Sequence, residues 1–309
     1  MINTNNIIIY HIISYYIILY YIILYYMTDI NISNKDFLDK LQNDEHFSFV
    51  RYNDGELISV MEYDFIHNIH IKNDTGHLPN CDLHQYFKEM NKGLQEALTN
   101  EENIMYCEQH KYIFQISIDS MIYIMENKRD HITDNNITLK YTLTRLNELK
   151  DIIKVKRNKW EGHGELINCD MYTNPINVVK FIDILNTKNI ILIGPEYLTK
   201  FQLLNVKKYI LIPMHNCFLE KDRIMKEIED SMNEFENIEQ SCVFLFSASM
   251  ATNYMIDKLF KRSLDKHTMI DVGSLWDNFM STKVTQVARR TYNPEFIKAN
   301  YPANYWHDE

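Results

Sequence analysis

Residues 47–56 read Phe-Ser-Phe-Val-Arg-Tyr-Asn-Asp-Gly-Glu, and the last three put two carboxylates, Asp54 and Glu56, on either side of Gly55. An oxygen-only pair of this kind suits a hard divalent cation, Mn2+ or Mg2+. Gly55 lets the backbone turn tightly enough for both carboxylates to approach one ion. Such an ion offsets the charge of a diphosphate as it departs. Arg51, three residues earlier, adds a planar fork of donors suited to phosphate. The plain alternative is a solvated Asp-Gly turn followed by the first Glu of a helix.

Other segments carry chemistry of the same sort. Ser247-Ala248-Ser249-Met250-Ala251-Thr252 joins an apolar run to a helical pattern. The free N–H groups of a helix start, with the hydroxyls of Ser247, Ser249 and Thr252, suit a phosphate; ordinary capping of the helix by Ser249 is the competing account. Glu196 and Asp271 end apolar runs and are candidate catalytic bases. Trp160-Glu161-Gly162-His163-Gly164-Glu165 is a glycine-softened loop that could hold an acceptor or supply the base through Glu165. His77, Cys81 and His84, with Cys107 and His110, have a zinc flavour but lack the closely paired ligands of structural sites. The run from Ile191 to Glu196 could pass for the strand and turn of a nucleotide-cofactor enzyme such as a methyltransferase, without the usual G-x-G.

These segments need a scaffold that gathers them. A helix is expected over residues 34–41, with Ser33 and Asp36 forming a capping box. A strand follows at 47–51, then a helix from about 56 to 63. Helical periodicity marks 83–98 and 138–153, and 103–107 is a candidate strand. From Asn174, which caps a helix opened by Pro175, strands and helices alternate. Strands are expected at 189–193, 209–212, 242–246 and 268–272. Helices are expected at 175–185, 197–204, 220–235, 250–260 and 274–279. Short apolar strands alternating with helices predict right-handed βαβ units and a mostly parallel, Rossmann-like sheet flanked by helices. Ligands in such a sheet bind at the carboxyl ends of the strands, where Asp54, Glu196, Ser247 and Asp271 all fall.

Composition narrows the partners. The net charge is −10 and basic residues are scattered, which argues against nucleic acid as a partner. With 7 Gly in 309 residues there is little room for a glycine-rich phosphate loop, so a metal must accept a diphosphate here. The five cysteines are odd in number and widely spaced, so they read as reduced thiols on the cytoplasmic side. Residues 7–26 carry no charge and are long enough to span a bilayer, which makes them a membrane-anchor candidate. They also repeat every five residues, a period that fits neither helix nor strand and that an in-frame translated AT-rich tract would produce. The expected organisation is an apolar extension at 1–28, a single α/β domain at 29–288 and a tail at 289–309.

The 47–56 run resembles the opening signature of the GT-D-fold glycosyltransferases, in which Arg-aromatic-Gly-Asp-Gly-Glu supplies an Asp-x-Glu metal motif. Residues 190–195 are similar to that family's apolar strand and turn. Residues 212–218 resemble its Pro-x-x-Asn-Ala-Phe segment, residues 243–252 its strand and Gly-Pro-Thr-Ala turn, and residues 270–273 the start of its Asp-x-Gly-His stretch. Asn53 stands where the family has Gly, Ser274 where it often has His, and 170–175 lacks the family's Arg. The resemblance implies a GT-D-like fold and Mn2+ or Mg2+ on Asp54 and Glu56. It implies a nucleotide-sugar donor, a UDP-sugar, contacted by Arg51, Asn216, Ser247, Ser249 and Thr252, and a glycan or glycoconjugate acceptor. A non-catalytic scaffold related to such enzymes is the remaining alternative.

Overall fold

Residues 32–60, 84–119, 122, 137–153, 174–280 and 294–305 are described in a computed structural model of the chain. They contain the strands β1 (Ser48–Tyr52), β2 (Tyr112–Ile116), β3 (Ile190–Pro195), β4 (Val206–Ile212), β5 (Val243–Phe246) and β6 (Thr268–Asp271). These form one sheet in the order β2-β1-β6-β5-β3-β4, with every neighbouring pair parallel. The helices are α1 (Asn34–Gln42), α2 (Asp54–Val60), α3 (His84–Thr99), α4 (Glu101–Glu108), α5 (Ile137–Ile152), α6 (Pro175–Leu185), α7 (Lys221–Glu236), α8 (Ala251–Ser263) and α9 (Pro294–Asn300). The expected α/β class and parallel sheet are both present. Residues 7–26 and the loop around Glu165 lie outside the described residues. Among the described residues no helix is long and apolar enough to cross a membrane.

Successive side chains of a strand point to opposite faces, and here both faces are apolar. Val50, Tyr52, Phe114, Ile191, Ile193, Phe244 and Phe246 face a core closed by α2, α3, α7 and α8. Phe49, Ile113, Ile190, Leu192, Leu245 and Ile270 face a second core closed by α1, α6 and α9. In that second layer Phe37 meets Phe49 edge-on at 5.3 Å, and Phe181 stacks on Trp276 at 6.2 Å. Each such fully buried ring contributes on the order of 2 kcal/mol. Strand β4 lies at the edge of the sheet; Lys207 is exposed there and Lys208 pairs with Glu234 at 2.9 Å. Charged residues of this kind discourage a foreign strand from adding to the edge.

Helix ends explain where the strands begin. Ser33 and Asp36 form the expected capping box on α1. Asn174 occupies the cap position of α6, but its side chain makes no capping bond and Pro175 opens the helix without it. Three helices close on a non-glycine residue with positive φ: Asp44 (57°), His110 (55°) and Glu239 (55°). Each is followed by a Schellman bond: Glu45 N–H to Lys40 O (3.0 Å), Lys111 N–H to Tyr106 O (2.9 Å) and Gln240 N–H to Phe235 O (3.0 Å).

Three expectations about elements are corrected. Residues 103–107 are helical, within α4. Asn100 caps that helix by accepting the Glu102 N–H at 2.9 Å, and the buried Asn103 amide donates to Ala97 O at 2.9 Å and Asp257 Oδ1 at 3.1 Å. The strand in this region is β2, at 112–116, which the sequence reading passed over. Residues 197–204 do not make an α-helix. A 3-10 turn covers Glu196–Lys200, and β4 then begins at Val206 rather than 209, leaving no room for further turns.

The connection after β3 leads outward to β4, whereas that after β5 leads the other way, to β6. The chain therefore parts between β3 and β5, and in such sheets ligands bind at the carboxyl ends beside that point.

Candidate functional site

The carboxyl ends of β1 and β6 meet through a buried ion pair. Arg51, the fourth residue of β1, donates from Nε to Asp271 Oδ2 and from Nη2 to Asp271 Oδ1, both at 3.1 Å. The pair is almost wholly buried, with the two side chains 9% and 5% exposed. Asp271 Oδ1 also accepts the N–H of Gly273 at 2.9 Å. Gly273 has φ +51°, and a Cβ there would lie 1.9 Å from Arg51 Nη2. Only glycine lets the chain after β6 wrap this closely over the guanidinium. The sequence reading assigned Arg51 to phosphate and Asp271 to proton transfer; the structure joins them to each other.

Helix α2 starts directly after β1, as the Asp-Gly-Glu turn suggested. Asp54 is its first residue, and its side chain lies outside the described residues. Glu56 reaches back to accept the N–H of Asn53 at 3.1 Å, half of a capping box. Ser117, just past β2, donates to Asn53 Oδ1 at 3.0 Å and fixes the start of the helix. Although partly open to solvent, the Glu56 carboxyl is pushed up to about 7, first by desolvation and next by the negative charge of Asp271; Arg51 offsets only part of this.

The donor set also fits Mn2+ or Mg2+, because it offers only oxygens. Among the described residues no three His, Cys, Asp or Glu side chains cluster as a metal cage. No zinc cluster forms around Cys107 and His110. Cys107, Cys217 and Cys242 are buried and unpaired with one another, and burial pushes the thiols of Cys217 and Cys242 up to about 12. They are inert packing groups. His77 and Cys81 lie outside the described residues.

The second half of the site is the turn between β5 and α8. The N–H of Ser247 continues the ladder to β3 by donating to Ile193 O at 2.8 Å, while its buried Oγ has no hydrogen-bond partner among the described residues. Gly194 keeps β3 close: a Cβ there would lie 2.5 Å from Leu198 Cδ1 and 3.4 Å from Ser247 Cβ. Ser249 is exposed, with φ 52°. It does not cap α8; that position belongs to Met250, which makes no side-chain capping bond. Thr252 is fully buried, and its Oγ1 accepts the Ala248 N–H at 3.2 Å, so it shapes the turn from within. Asn216, with φ 56°, opens the 3-10 turn after β4. Its neighbour Cys217 donates from Sγ to Ala248 O at 3.2 Å, which brings the Asn216 loop against the Ser247 turn. Glu196 follows β3 with its side chain in solvent.

Two side chains unforeseen in the sequence join the halves. Asn253 of α8, fully buried, donates from Nδ2 to the main-chain oxygen of Arg51 at 2.6 Å. Ser59 of α2 donates to Met250 Sδ at 2.8 Å. The signal for Asn253 was its spacing: with Ile256 and Phe260 it lies on the core-facing stripe of α8, where a polar residue needs a reason. Its Oδ1 has no partner among the described residues, a cost of about 1–3 kcal/mol for a buried acceptor.

No protein-family model and no curated protein matches the chain. Two solved structures share its fold. One is described in the words "the highly conserved domain of unknown function 1792 has a distinct glycosyltransferase fold". It aligns over 89% of this chain and 91% of its own, with a TM-score of 0.52 and 12% identity. The other, a selenomethionine-substituted structure of domain of unknown function 1792, aligns over the same shares with a TM-score of 0.50 and 12% identity. At that identity the likeness is one of fold.

Proposed function

We propose that the chain is a metal-dependent glycosyltransferase that moves a sugar from a nucleotide-sugar donor, a UDP-sugar, to a glycan or glycoconjugate acceptor. One observation carries the reading. The sequence pair Asp54 and Glu56 opens the helix after β1, and there the Glu56 carboxyl is pushed up to about 7 beside Asp271 and a single guanidinium. Asp54 and Glu56, two positions apart at the head of that helix, are the oxygen donors that a hard divalent cation takes. The fold, described as a glycosyltransferase fold in a structural neighbour, supports the same reading.

Asp54 and Glu56 would hold Mn2+ or Mg2+, which supplies charge to the departing diphosphate. Arg51 would stand behind them, kept in place by Asp271 and Gly273. The N–H groups at the head of α8, with Ser247 and Ser249, would take phosphate oxygens, and Thr252 would hold their turn in shape. Asn216 would border the nucleotide. Both Asp271 oxygens are already engaged. The solvent-facing Glu196 is therefore the better placed of the two to accept the acceptor's hydroxyl proton.

Isothermal titration with UDP, with and without Mn2+, tests this on the wild type, Asp54→Asn and Glu56→Gln. UDP should bind the wild type with Mn2+ and only weakly without it, and both variants should lose the metal-dependent part. UDP binding that ignores the metal in all three proteins would refute the assignment.

A further inference from the structure

We infer that Asn253 is a positioning residue that makes the two halves of this site respond together, so that a nucleoside diphosphate at the head of α8 and a divalent cation at the head of α2 bind as one ligand. The inference rests on the proposed glycosyltransferase reading and adds a residue to it.

The connection is short and dry. Asn253 lies three residues past Met250, within the first turn of α8, the turn whose N–H groups would face phosphate. Its Nδ2 reaches the oxygen of Arg51 at 2.6 Å, and Arg51 lies only three residues before Asp54. The Ser59–Met250 contact at 2.8 Å is a second tie between the same two helices. Both ties are buried, with Asn253 at 0%, Ser59 at 1% and Met250 at 4% exposure. A shift of the α8 head on gripping phosphate is thereby passed to the main chain that sets the cation's carboxylates. Hydrogen bonds in a low-dielectric interior are stiff enough to carry such coupling.

Stability alone does not explain Asn253. Its Nδ2 satisfies the Arg51 main-chain oxygen, but its Oδ1 is buried without a hydrogen-bond partner among the described residues, so the tie is made at the cost of a buried acceptor. A stability cost kept at the junction of two ligand-binding elements is expected of a group that serves binding.

The test measures coupling without turnover. The affinity for UDP is determined with and without Mn2+, and that for Mn2+ with and without UDP; the two ratios must agree, because coupling between ligands is reciprocal. In the wild type UDP should bind much more tightly with Mn2+ present. In Asn253→Leu the affinity for UDP alone should stay within about twofold, while the enhancement by Mn2+ falls about tenfold, the usual range of coupling between sites. Denaturation in urea should show one cooperative transition at a lower midpoint than the wild type, because the Arg51 oxygen loses its donor. If Asn253→Leu fails to fold, Asn253→Asp, which keeps the shape but cannot donate to Arg51 O, is judged by the same ratio beside Ser59→Ala. A wild-type-sized enhancement in the folded Asn253 variant overturns the inference while leaving the glycosyltransferase reading intact. A wild type with no enhancement removes that reading and the inference with it.

Discussion

Two glutamates, at opposite ends of the same strands, are driven in opposite directions. At the carboxyl edge, Glu56 is pushed up to about 7 by burial and by Asp271. On the amino side, Glu236 at the end of α7 is held down at about 2, chiefly by Arg262 at 2.5 Å, with His267 at 3.1 Å and Lys266 at 3.4 Å. Around Glu236 the ion pairs are complete, including Lys188 with Asp44 at 2.5 Å and Lys111 with Asp265 at 2.5 Å. His267 is fixed as well. Its Nδ1 accepts the Cys242 N–H at 3.1 Å, which leaves Nε2 to carry the proton toward Glu236. Around Glu56 the described residues offer the guanidinium of Arg51, which is already paired with Asp271. The amino edge is tied by exposed and half-buried ion pairs, and the carboxyl edge carries the proposed site.

The comparison is tested hardest at the buried Arg51–Asp271 pair of the carboxyl edge. Asp271→Ala would leave the Arg51 guanidinium buried without its partner, so the protein should lose about 3–5 kcal/mol in urea denaturation. A loss below about 1 kcal/mol would mean that solvent reaches Arg51 and that the site is more open than described.

Acid sharpens the contrast, because the two edges should answer it with opposite signs. A carboxyl whose folded pKa lies above its ordinary 4.5 favours the fold when protonated. Glu56 therefore stabilises the metal-free protein as pH falls from about 7 toward 4.5, and that contribution is lost as pH rises through 7. Glu56→Gln should remove this slope. It should raise the stability of the metal-free protein at pH 8 by on the order of 2 kcal/mol, one pKa unit being about 1.4 kcal/mol. Thermal unfolding of both proteins from pH 5 to 8 checks it, and parallel curves would place the Glu56 pKa elsewhere.

The amino edge behaves the other way. Burial lowers the His267 pKa from its ordinary 6.5, so its contribution is lost as pH falls below that value. Glu236 adds a further loss between 4.5 and about 2. Glu236→Gln should flatten the second loss, by no more than about 1 kcal/mol because the group is partly in water. An unchanged acid limb in the variant would show that the Arg262 contact contributes nothing in solution.

The smallest effect concerns the closing turns. Glu239 holds a left-handed conformation that costs a side chain about 1–2 kcal/mol. Glu239→Gly should regain a few tenths of that after the added freedom of the unfolded chain is subtracted. A loss on substitution would reveal a contact made by the Glu239 side chain.

How much the sequence disclosed depended on whether the deciding force was local. The capping box at Ser33 and Asp36, the opening of α6 at Pro175 and the alternation of β4, β5 and β6 with α7 and α8 are local, and all could be read. The 103–107 run was taken for a strand because five apolar-leaning residues have no period long enough to separate strand from helix. What decides it is Asn103, whose amide is satisfied by Ala97 and, from far along the chain, by Asp257. The site divides in the same way. Asp54 and Glu56 stand out as candidates because Gly55 sits between them directly after a strand, and the helix there opens at Asp54, two residues before the expected start. The Arg51–Asp271 pair spans 220 positions and the Asn253–Arg51 bond spans 202, so spacing shows at most a polar Asn253 on an apolar helix stripe and never its partner. Thr252 looked like a ligand contact because hydroxyls near a helix start suit phosphate; its burial turns it inward.

Glycine placement has a consequence for how this chain tolerates change. Gly194 and Gly273 sit where an added Cβ would meet Leu198 and Arg51, and Gly93 of α3 sits where one would lie 2.5 Å from the ring of Tyr254. Meanwhile the left-handed turn positions, where other proteins use glycine, are filled by Asp44, His110 and Glu239. A scan of all single substitutions would therefore give an inverted map. Turns would accept many residues, glycine among them, whereas Gly93, Gly194 and Gly273 would reject even alanine. A library meant to diversify this protein should randomise its αβ turns and leave these three glycines alone.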